Sequence, residues 1–159
     1  MSYFKTSKKI QNYTHNVDTS FTKQQLGTSI VAYNGTEITY TPPAGATSVV
    51  YECNAQFSWD PDAAKSYACT RLQYSDDNGS TWNTITGTKV LDGTTGSVND
   101  YDCFLTNWNF LIPAWSGERK LRLAGRAFSS TNRCTLGKSF GATEDDTTSC
   151  PHVSVYSIF

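Results

Sequence analysis

Apolar and polar residues alternate along residues 49–59, with Val50 as the one exception. The apolar set is Val49, Tyr51, Cys53, Ala55, Phe57 and Trp59. The intervening set is mostly polar, namely Val50, Glu52, Asn54, Gln56 and Ser58. Successive side chains of a strand point to opposite faces. This period of two therefore predicts a β-strand with one face in a core and the other in water.

The same alternation recurs in residues 102–112 and 152–159. Shorter β-rich runs occupy residues 28–33, 37–41, 67–75, 81–86, 88–91, 120–127 and 131–140. Turn-forming residues separate these runs at intervals of about 8–12 residues, which is typical of a sandwich or barrel. Neither a helical period nor an internal repeat is visible. We therefore predict an all-β, antiparallel β-sandwich of roughly eight to ten strands.

The chain of 159 residues suits one domain with a core of its own. Residues 1–26 are polar, locally basic and without a sustained period. We expect residues 1–26 to form an extended N-terminal arm that serves for attachment, and residues 27–159 to form a single sandwich domain. Deleting residues 2–25 should then leave the domain folded and abolish its incorporation into an assembly.

The turn at residues 75–82 reads Ser-Asp-Asp-Asn-Gly-Ser-Thr-Trp. Asn78 and Gly79 tolerate the positive φ that a tight hairpin turn needs. The octet also fits the Asp-box, which sialidase propellers carry once per blade, but this chain has one copy and too few residues for such a propeller. We expect Asp77 to accept hydrogen bonds from turn amides and Trp82 to pack beneath the turn.

Charge and length exclude several partner classes. Charged residues make up 17% of the chain and the net charge is −1, so no global basic field is present to hold nucleic acid. No apolar run approaches the ~20 residues that span a bilayer. The first residues show no apolar signal segment. We therefore expect neither a nucleic acid nor a membrane as a partner.

An odd number of cysteines without a signal peptide indicates reduced thiols made in a cytosol. The five are Cys53, Cys69, Cys103, Cys134 and Cys150. A bridge between Cys53 and Cys69 across a hairpin is the alternative. It requires a β-bulge, because the two residues fall on faces of opposite character.

Carboxylates near predicted turns are the candidate acid–base groups of a glycosidase. They are Asp60, Asp62, Asp100, Asp102, Glu144, Asp145 and Asp146. Asp is common in turns for backbone reasons, so we interpret all seven as solvated loop residues. The two histidines, His15 and His152, accompany no Gly-x-Ser-x-Gly nucleophile motif and no phosphate-binding glycine motif. We predict no catalytic residue and no cofactor.

Metal binding has weak candidates. Cys134, Cys150 and His152 lack the paired close spacing of a tetrahedral zinc site. The acidic residues at 76–78 and 144–146 lack the EF-hand calcium pattern. We therefore predict no metal site.

Two sets of surface residues are candidates for recognition. Trp59 and Trp108 fall on apolar faces and are expected in the core, whereas Trp115 lies in a turn and is the best candidate for an exposed or intersubunit aromatic. A basic stripe alternates along the strand predicted at residues 120–127. It consists of Arg119, Lys120, Arg122 and Arg126. Its simplest interpretation is the outer face of that strand, and an interface with an acidic partner surface is the alternative.

Several features together resemble the compact jelly-roll domains of the tumour-necrosis-factor-like type. They are the extended N-terminal arm, the long strand ending in Phe57-Ser58-Trp59, the aromatic strand Asn107-Trp108-Asn109-Phe110, and a hydrophobic strand at residues 153–158 that ends the chain. In its sequence pattern the chain is also similar to small virion proteins of tailed bacteriophages, such as head decoration proteins and fibre or collar modules.

The resemblance implies a jelly-roll module that performs no chemistry and assembles, often as a homotrimer. It implies a virion location and, as partners, copies of the chain and capsid or tail and portal components. In such jelly rolls the last strand often faces the trimer axis, which would place Val155, Tyr156 and Ile158 near a subunit contact.

Two other function classes stay open. A carbohydrate- or host-receptor-binding module would need exposed coplanar aromatics around Trp115 or in the loops at one end of the sandwich. A small glycosidase is favoured only by the Asp-box. A glycan of the host surface is therefore a further candidate partner.

Overall fold

The computed structural model describes residues 9–59, 65–95, 103–128, 134–137 and 149–159. These residues form two antiparallel β-sheets and contain no helix. The strands are β1 (Ile10–Val17), β2 (Gln24–Leu26), β3 (Val31–Ala32), β4 (Ile38–Tyr40), β5 (Ser48–Trp59), β6 (Lys65–Ser75), β7 (Asn83–Thr84), β8 (Val90–Thr95), β9 (Cys103–Pro113), β10 (Arg119–Ala127), β11 (Cys134–Leu136) and β12 (His152–Ile158). The predicted all-β sandwich is confirmed.

The first sheet is built around β5. Along one edge β5 pairs with β9 over its whole length, from Ser48 opposite Pro113 to Ser58 opposite Cys103. Along the other edge it pairs first with β12 and then with β11. Strand β1 pairs with the far side of β12, and β2 with the far side of β11. In the described residues, β1, β2 and β9 are the edge strands of this sheet.

The second sheet is built around β10 and β6, which pair from Lys120 opposite Ser75 to Ala127 opposite Ala68. The short strands β3 and β4 lie on the free side of β10. Strands β7 and β8 lie on the free side of β6. The second sheet therefore has a long central pair with shorter strands on both sides, whereas in the first sheet the long strand β9 lies at an edge.

The core lies between the facing surfaces of the two sheets. The predicted apolar face of β5 is buried, with Val49, Tyr51 and Phe57 each at 0% exposure. Leu72 and Leu123 meet it from the second sheet, also at 0%. The Trp59 side chain lies outside the described residues. Burying these side chains is favourable by roughly 25 cal/mol per Å² of apolar surface, which is the main force that holds the sheets together.

The N-terminal segment differs from its prediction. From Ile10 onward the chain is a sheet strand hydrogen-bonded to β12, and after it Phe21 and Leu26 enter the core at 7% and 0% exposure. Residues 10–26 are therefore part of the sandwich and do not form a detached arm. Residues 1–8 lie outside the described residues.

Two finer expectations are also corrected. Twelve strands are described where eight to ten are expected, because two- and three-residue strands such as β3 and β7 lack the length to show a period. A Cys53–Cys69 bridge across a hairpin is wrong, since the strands that carry these residues, β5 and β6, belong to different sheets. Both thiols are free, as are those of Cys134 and Cys150, and burial raises the pKa of the Cys53 thiol to about 12.

Candidate interaction surface

The outward face of the first sheet carries a strip of aromatic and imidazole rings. The strip, called the aromatic strip below, consists of Tyr13 and His15 on β1 and His152 and Tyr156 on β12. The Tyr13 ring is nearly parallel to the His15 ring (11°, centroids 6.5 Å apart) and to the Tyr156 ring (22°, 6.2 Å). The His15 and His152 centroids are 5.8 Å apart. Tyr13 is 62% exposed, so the strip faces solvent.

Hydrogen bonds hold the aromatic strip to the sheet. The Ser154 hydroxyl lies 2.7 Å from the Tyr13 hydroxyl and 3.0 Å from Nδ1 of His15. The Tyr156 hydroxyl donates to Oε1 of Glu52 at 3.0 Å. Burial, together with this bond and the carboxylate charge, raises the pKa of the Tyr156 phenol. The phenol is therefore a neutral donor at physiological pH, and its ring is fixed in place.

A polar ladder continues across the same face from β5 to β9. Asn109 donates its side-chain amide to Oε1 of Glu52 at 3.0 Å, and Asn107 donates to Oδ1 of Asn54 at 2.6 Å. On either side of this ladder β9 exposes Leu105 (76%) and Leu111 (62%). The edge strand β9 thus carries two exposed leucines next to two asparagines whose side chains are hydrogen-bonded to β5.

The last strand carries the residues of the expected subunit contact on both of its faces. Val155 is buried in the sandwich at 0% exposure, and the subunit contact expected near it stays a prediction. Tyr156 and Ile158 alternate with the buried positions and lie on the outward face. Strand β12 itself lies between β1 and β5, inside the sheet.

The Asp-box forms the hairpin turn between β6 and β7. Asp77 accepts hydrogen bonds from the Thr81 amide (2.8 Å), the Thr81 hydroxyl (2.6 Å) and the Ser75 hydroxyl (2.7 Å). These bonds lower the pKa of Asp77 to about 2. Trp82 donates its indole N–H to the Gly79 carbonyl at 2.9 Å, and Asn78 and Gly79 have φ of 57° and 94°. The predicted roles of Asp77 and Trp82 in stabilising the turn are confirmed.

Trp115 is less exposed than expected. Its ring packs against the core and meets Tyr40 at 68°, with centroids 6.2 Å apart. The Arg119 guanidinium lies 4.5 Å from the Tyr74 ring centroid and 5.3 Å from that of Trp115. Tyr74, Trp115 and Arg119 line a cleft with a volume of about 420 Å³. The buried indole nitrogen of Trp115 has no acceptor among the described residues. Trp115 contributes to packing at this end and is not a flat exposed platform.

Three residues of the basic stripe, Lys120, Arg122 and Arg126, lie on the outer face of β10 as predicted, whereas Arg119 lies on the opposite face beside the Tyr74 and Trp115 rings. The charges of the stripe meet partners within the chain. Arg119 pairs with Asp76, and Lys120 lies 2.9 Å from Oε1 of Glu37. The Arg122 guanidinium sits 3.7 Å from the Trp82 ring centroid. Arg126 donates to the Ala127 and Phe128 carbonyls.

Most of the remaining candidates for chemistry lie outside the described residues. All seven carboxylates considered for glycoside hydrolysis, Asp60, Asp62, Asp100, Asp102, Glu144, Asp145 and Asp146, lie outside the described residues. Within the described part of the chain, Cys134, Cys150 and His152 belong to no group of three that would hold a metal ion. Burial raises the pKa of the Cys134 thiol to about 12, which disfavours the thiolate that a metal requires.

The aromatic strip is the feature that sequence reasoning misses. Tyr13 and His15 lie in the segment expected to be a detached arm. The register of β1 shifts between Gln11 and Thr14, and Asn12 has a positive φ of 55°. A β-bulge breaks the period of two, so the alternation that would have revealed β1 is absent from the sequence.

No protein-family model matches the chain, and no curated protein matches it significantly. In the described ranges, no helix is long and apolar enough to cross a membrane.

Proposed function

We propose that this chain is a non-enzymatic structural subunit that works by assembling with copies of itself and with other proteins. The observation that carries the proposal is the outward face of the first sheet. There an exposed, hydrogen-bonded aromatic strip and two bare leucines share one surface. Ordered aromatic and aliphatic side chains of this kind supply contact area at low cost in conformational entropy.

The virion role follows from the resemblance to tumour-necrosis-factor-like jelly rolls and to small proteins of tailed bacteriophages. The order of the long strands supports it, since β5, β9 and β12 lie in the first sheet and β6 and β10 in the second. Chains that cross repeatedly between two sheets are typical of jelly rolls. In this proposal the subunit is a capsid decoration, fibre or collar protein, its partners are capsid or tail and portal components, and its oligomer is a trimer.

The absence of chemistry in this proposal is supported by the Asp-box. Both carboxylate oxygens of Asp77 are taken up by donors within the turn itself. A carboxylate held ionised by its own turn is suited to shaping a hairpin and poorly suited to donating a proton to a substrate.

Sedimentation velocity on the wild-type chain and a Tyr13→Ser/Tyr156→Ser variant tests the proposal. We expect the wild type to form oligomers and the variant to dissociate, because both rings leave the outward face. Phe128→Ser is the matched control, since Phe128 is 53% exposed on the second sheet. A wild-type chain that sediments as a single chain throughout would contradict the proposal.

A carbohydrate-binding module is the second candidate, and the aromatic strip favours it as well. Near-parallel Tyr13, His15 and Tyr156 rings beside the Ser154 hydroxyl and the Glu52 carboxylate are the groups that sugars stack on and bond to. A glycan array probed with the wild type and with Tyr13→Ala separates the two candidates. Saturable binding that Tyr13→Ala abolishes would favour the sugar site, and no binding would favour assembly alone.

A further inference from the structure

Among the described residues, strand β9 is a long edge strand that carries no charge, proline or bulge between Leu105 and Leu111. It spans Cys103–Pro113 and, in the described residues, pairs with β5 alone. Its sequence, CFLTNWNFLIP, contains no charged residue. Soluble proteins usually guard such edges with lysine, other charges, proline or bulges, because unpaired backbone groups template the addition of another strand. The proline of β9, Pro113, stands at the very end of the strand. Here the eleven β9 residues pair with β5 in continuous register, and the outward side chains include exposed leucines.

The outward side chains of β9 are symmetric about Trp108. Asn107 and Asn109 are the immediate neighbours of Trp108, and Leu105 and Leu111 lie three residues from it on either side. The four flanking residues alternate with the buried Trp108 and Phe110, so all four point to the outward face. The order of outward side chains between Leu105 and Leu111 is therefore the same in both chain directions.

We propose that β9 pairs with β9 of a second copy of the chain, antiparallel and centred on Trp108, to form one continuous sheet across two molecules. In this register Leu105 of each chain lies opposite Leu111 of the other, and Asn107 lies opposite Asn109. A two-fold axis perpendicular to the sheet relates the copies and keeps both outward faces on the same side. This inference rests on the proposed function, because it names a two-fold contact by which the subunit assembles. The contact joins chains of neighbouring trimers and is separate from the three-fold contact within a trimer.

The chemistry of the strand favours a second copy over an unrelated partner. Two uncharged edges approach without like-charge repulsion, and between Leu105 and Leu111 the strand matches itself in both outward pairs, leucine with leucine and asparagine with asparagine. The asparagine amides are already held by Asn54 and Glu52, so no ordering of these side chains is needed when the copies meet. Antiparallel pairing also satisfies backbone groups along the edge between Leu105 and Leu111.

A charge-swap series tests the pairing and its register. We expect Leu105→Glu and Leu111→Lys, taken singly, each to raise the dissociation constant of the two-fold contact at least tenfold, as measured by sedimentation velocity. The double variant L105E/L111K should return to within about threefold of the wild type, because each Glu then faces a Lys across the axis. L105E/L111E is the matched control and should stay weakened. Both positions are exposed, so thermal unfolding of all variants should match that of the wild type.

Cysteine cross-linking reads the register independently. A mixture of Asn107→Cys and Asn109→Cys chains should form a 107–109 disulfide between chains, identified by mass spectrometry, whereas Asn107→Cys alone should form none. A 107–107 bridge would overturn the register centred on Trp108.

The failure of this inference is distinguishable from that of the proposed function. If oligomers persist in every β9 variant and vanish in Tyr13→Ser/Tyr156→Ser, the two-fold contact is overturned and the assembly role stands. If the double variant L105E/L111K is as weak as its single parents, pairing between two β9 strands in this register is overturned. A wild-type chain that never associates overturns both.

Discussion

Trp108 in the first sheet donates its indole N–H to the Asp92 carboxylate in the second, at 2.8 Å. The ring is 2% exposed and meets Phe57 edge-on, with centroids 5.5 Å apart. This bond ties β9 to β8 along one side of the sandwich. The residue at the centre of the proposed two-fold contact is therefore also the one that fixes β9 to the opposite sheet.

Replacing Trp108 with Phe should destabilise the fold through this bond. The ring stays largely apolar, but the half-buried Asp92 carboxylate loses one of its two side-chain hydrogen bonds, the other being with Thr70. A hydrogen bond to a charged group is worth about 1.5–3 kcal/mol. Urea unfolding of Trp108→Phe measures the loss. In an Asp92→Ala background the same substitution should cost much less, and an equal cost in both backgrounds would contradict the assigned role of the bond.

The Asp-box should make stability depend on pH in a defined direction. The pKa of Asp77 is about 2 in the folded chain, against roughly 3.9 in an unfolded one. A lowered pKa contributes stability above the unfolded value and loses it as pH falls through the folded value. Asp77→Asn should therefore destabilise the chain more at pH 6 than at pH 2, as measured by urea unfolding at both pH values.

Asp92→Asn provides the opposite control for this pH dependence. Burial raises the pKa of Asp92, partly offset by the Trp108 bond, so its contribution is present below the unfolded pKa and is lost as pH rises. Neutralising Asp92 should therefore become more favourable between pH 4 and pH 7. The account of these two carboxylates is wrong if both variants shift with pH in the same sense.

The segment before β2 should be essential for folding. Phe21 is 7% exposed, and a Cβ added to Gly137 would collide with its ring. Phe21→Ala should lower the free energy of unfolding by about 3–5 kcal/mol, the usual cost of emptying a buried aromatic site. Ile10→Ala is the control, because Ile10 is 59% exposed and should cost little. Calorimetry on both variants decides whether residues 10–26 belong to the domain.

Gly125 on β10 should tolerate no side chain. A Cβ there would clash with the Tyr33 hydroxyl and the Cys69 carbonyl, and the Tyr33 hydroxyl is held 2.9 Å from Thr70 Oγ1. Gly125→Ala should cost about 1–3 kcal/mol from overpacking. Gly27→Ala meets nothing within 4 Å and should be close to neutral. Equal melting temperatures for the two variants would contradict the tight approach of Tyr33 to β10.

The long strands are predictable because one face of each is buried. Strict alternation identifies β5, and the face it assigns to the core is the face that packs there, from Val49 to Phe57. The Asp-box turn is predictable because its chemistry is local, with Asp77 and Trp82 bonding within their own octet. The alternation of β5 and the chemistry of the Asp-box turn both arise from residues close together in the sequence, so both can be recognised from the sequence.

Tertiary pairing is what the sequence does not reveal. β5 and β6 follow each other yet lie in different sheets, so adjacency in sequence suggests a hairpin that does not form. The aromatic strip forms because β1 pairs with β12, at the other end of the chain. The bulge at Asn12 interrupts the alternation of β1, so the strand is not recognisable from the sequence. Tyr13 and His15 lie 141 and 139 positions before Ser154 in the sequence, yet both side chains contact the Ser154 hydroxyl. No local sequence pattern encodes those contacts.

Amide hydrogen exchange at low and high protein concentration tests most directly whether the first sheet drives association. We expect exchange in β9 (Cys103–Pro113) and β1 (Ile10–Val17) to slow as concentration rises, with β6 and β10 unchanged. Exchange that is the same at every concentration, or that slows only in the second sheet, would contradict the account.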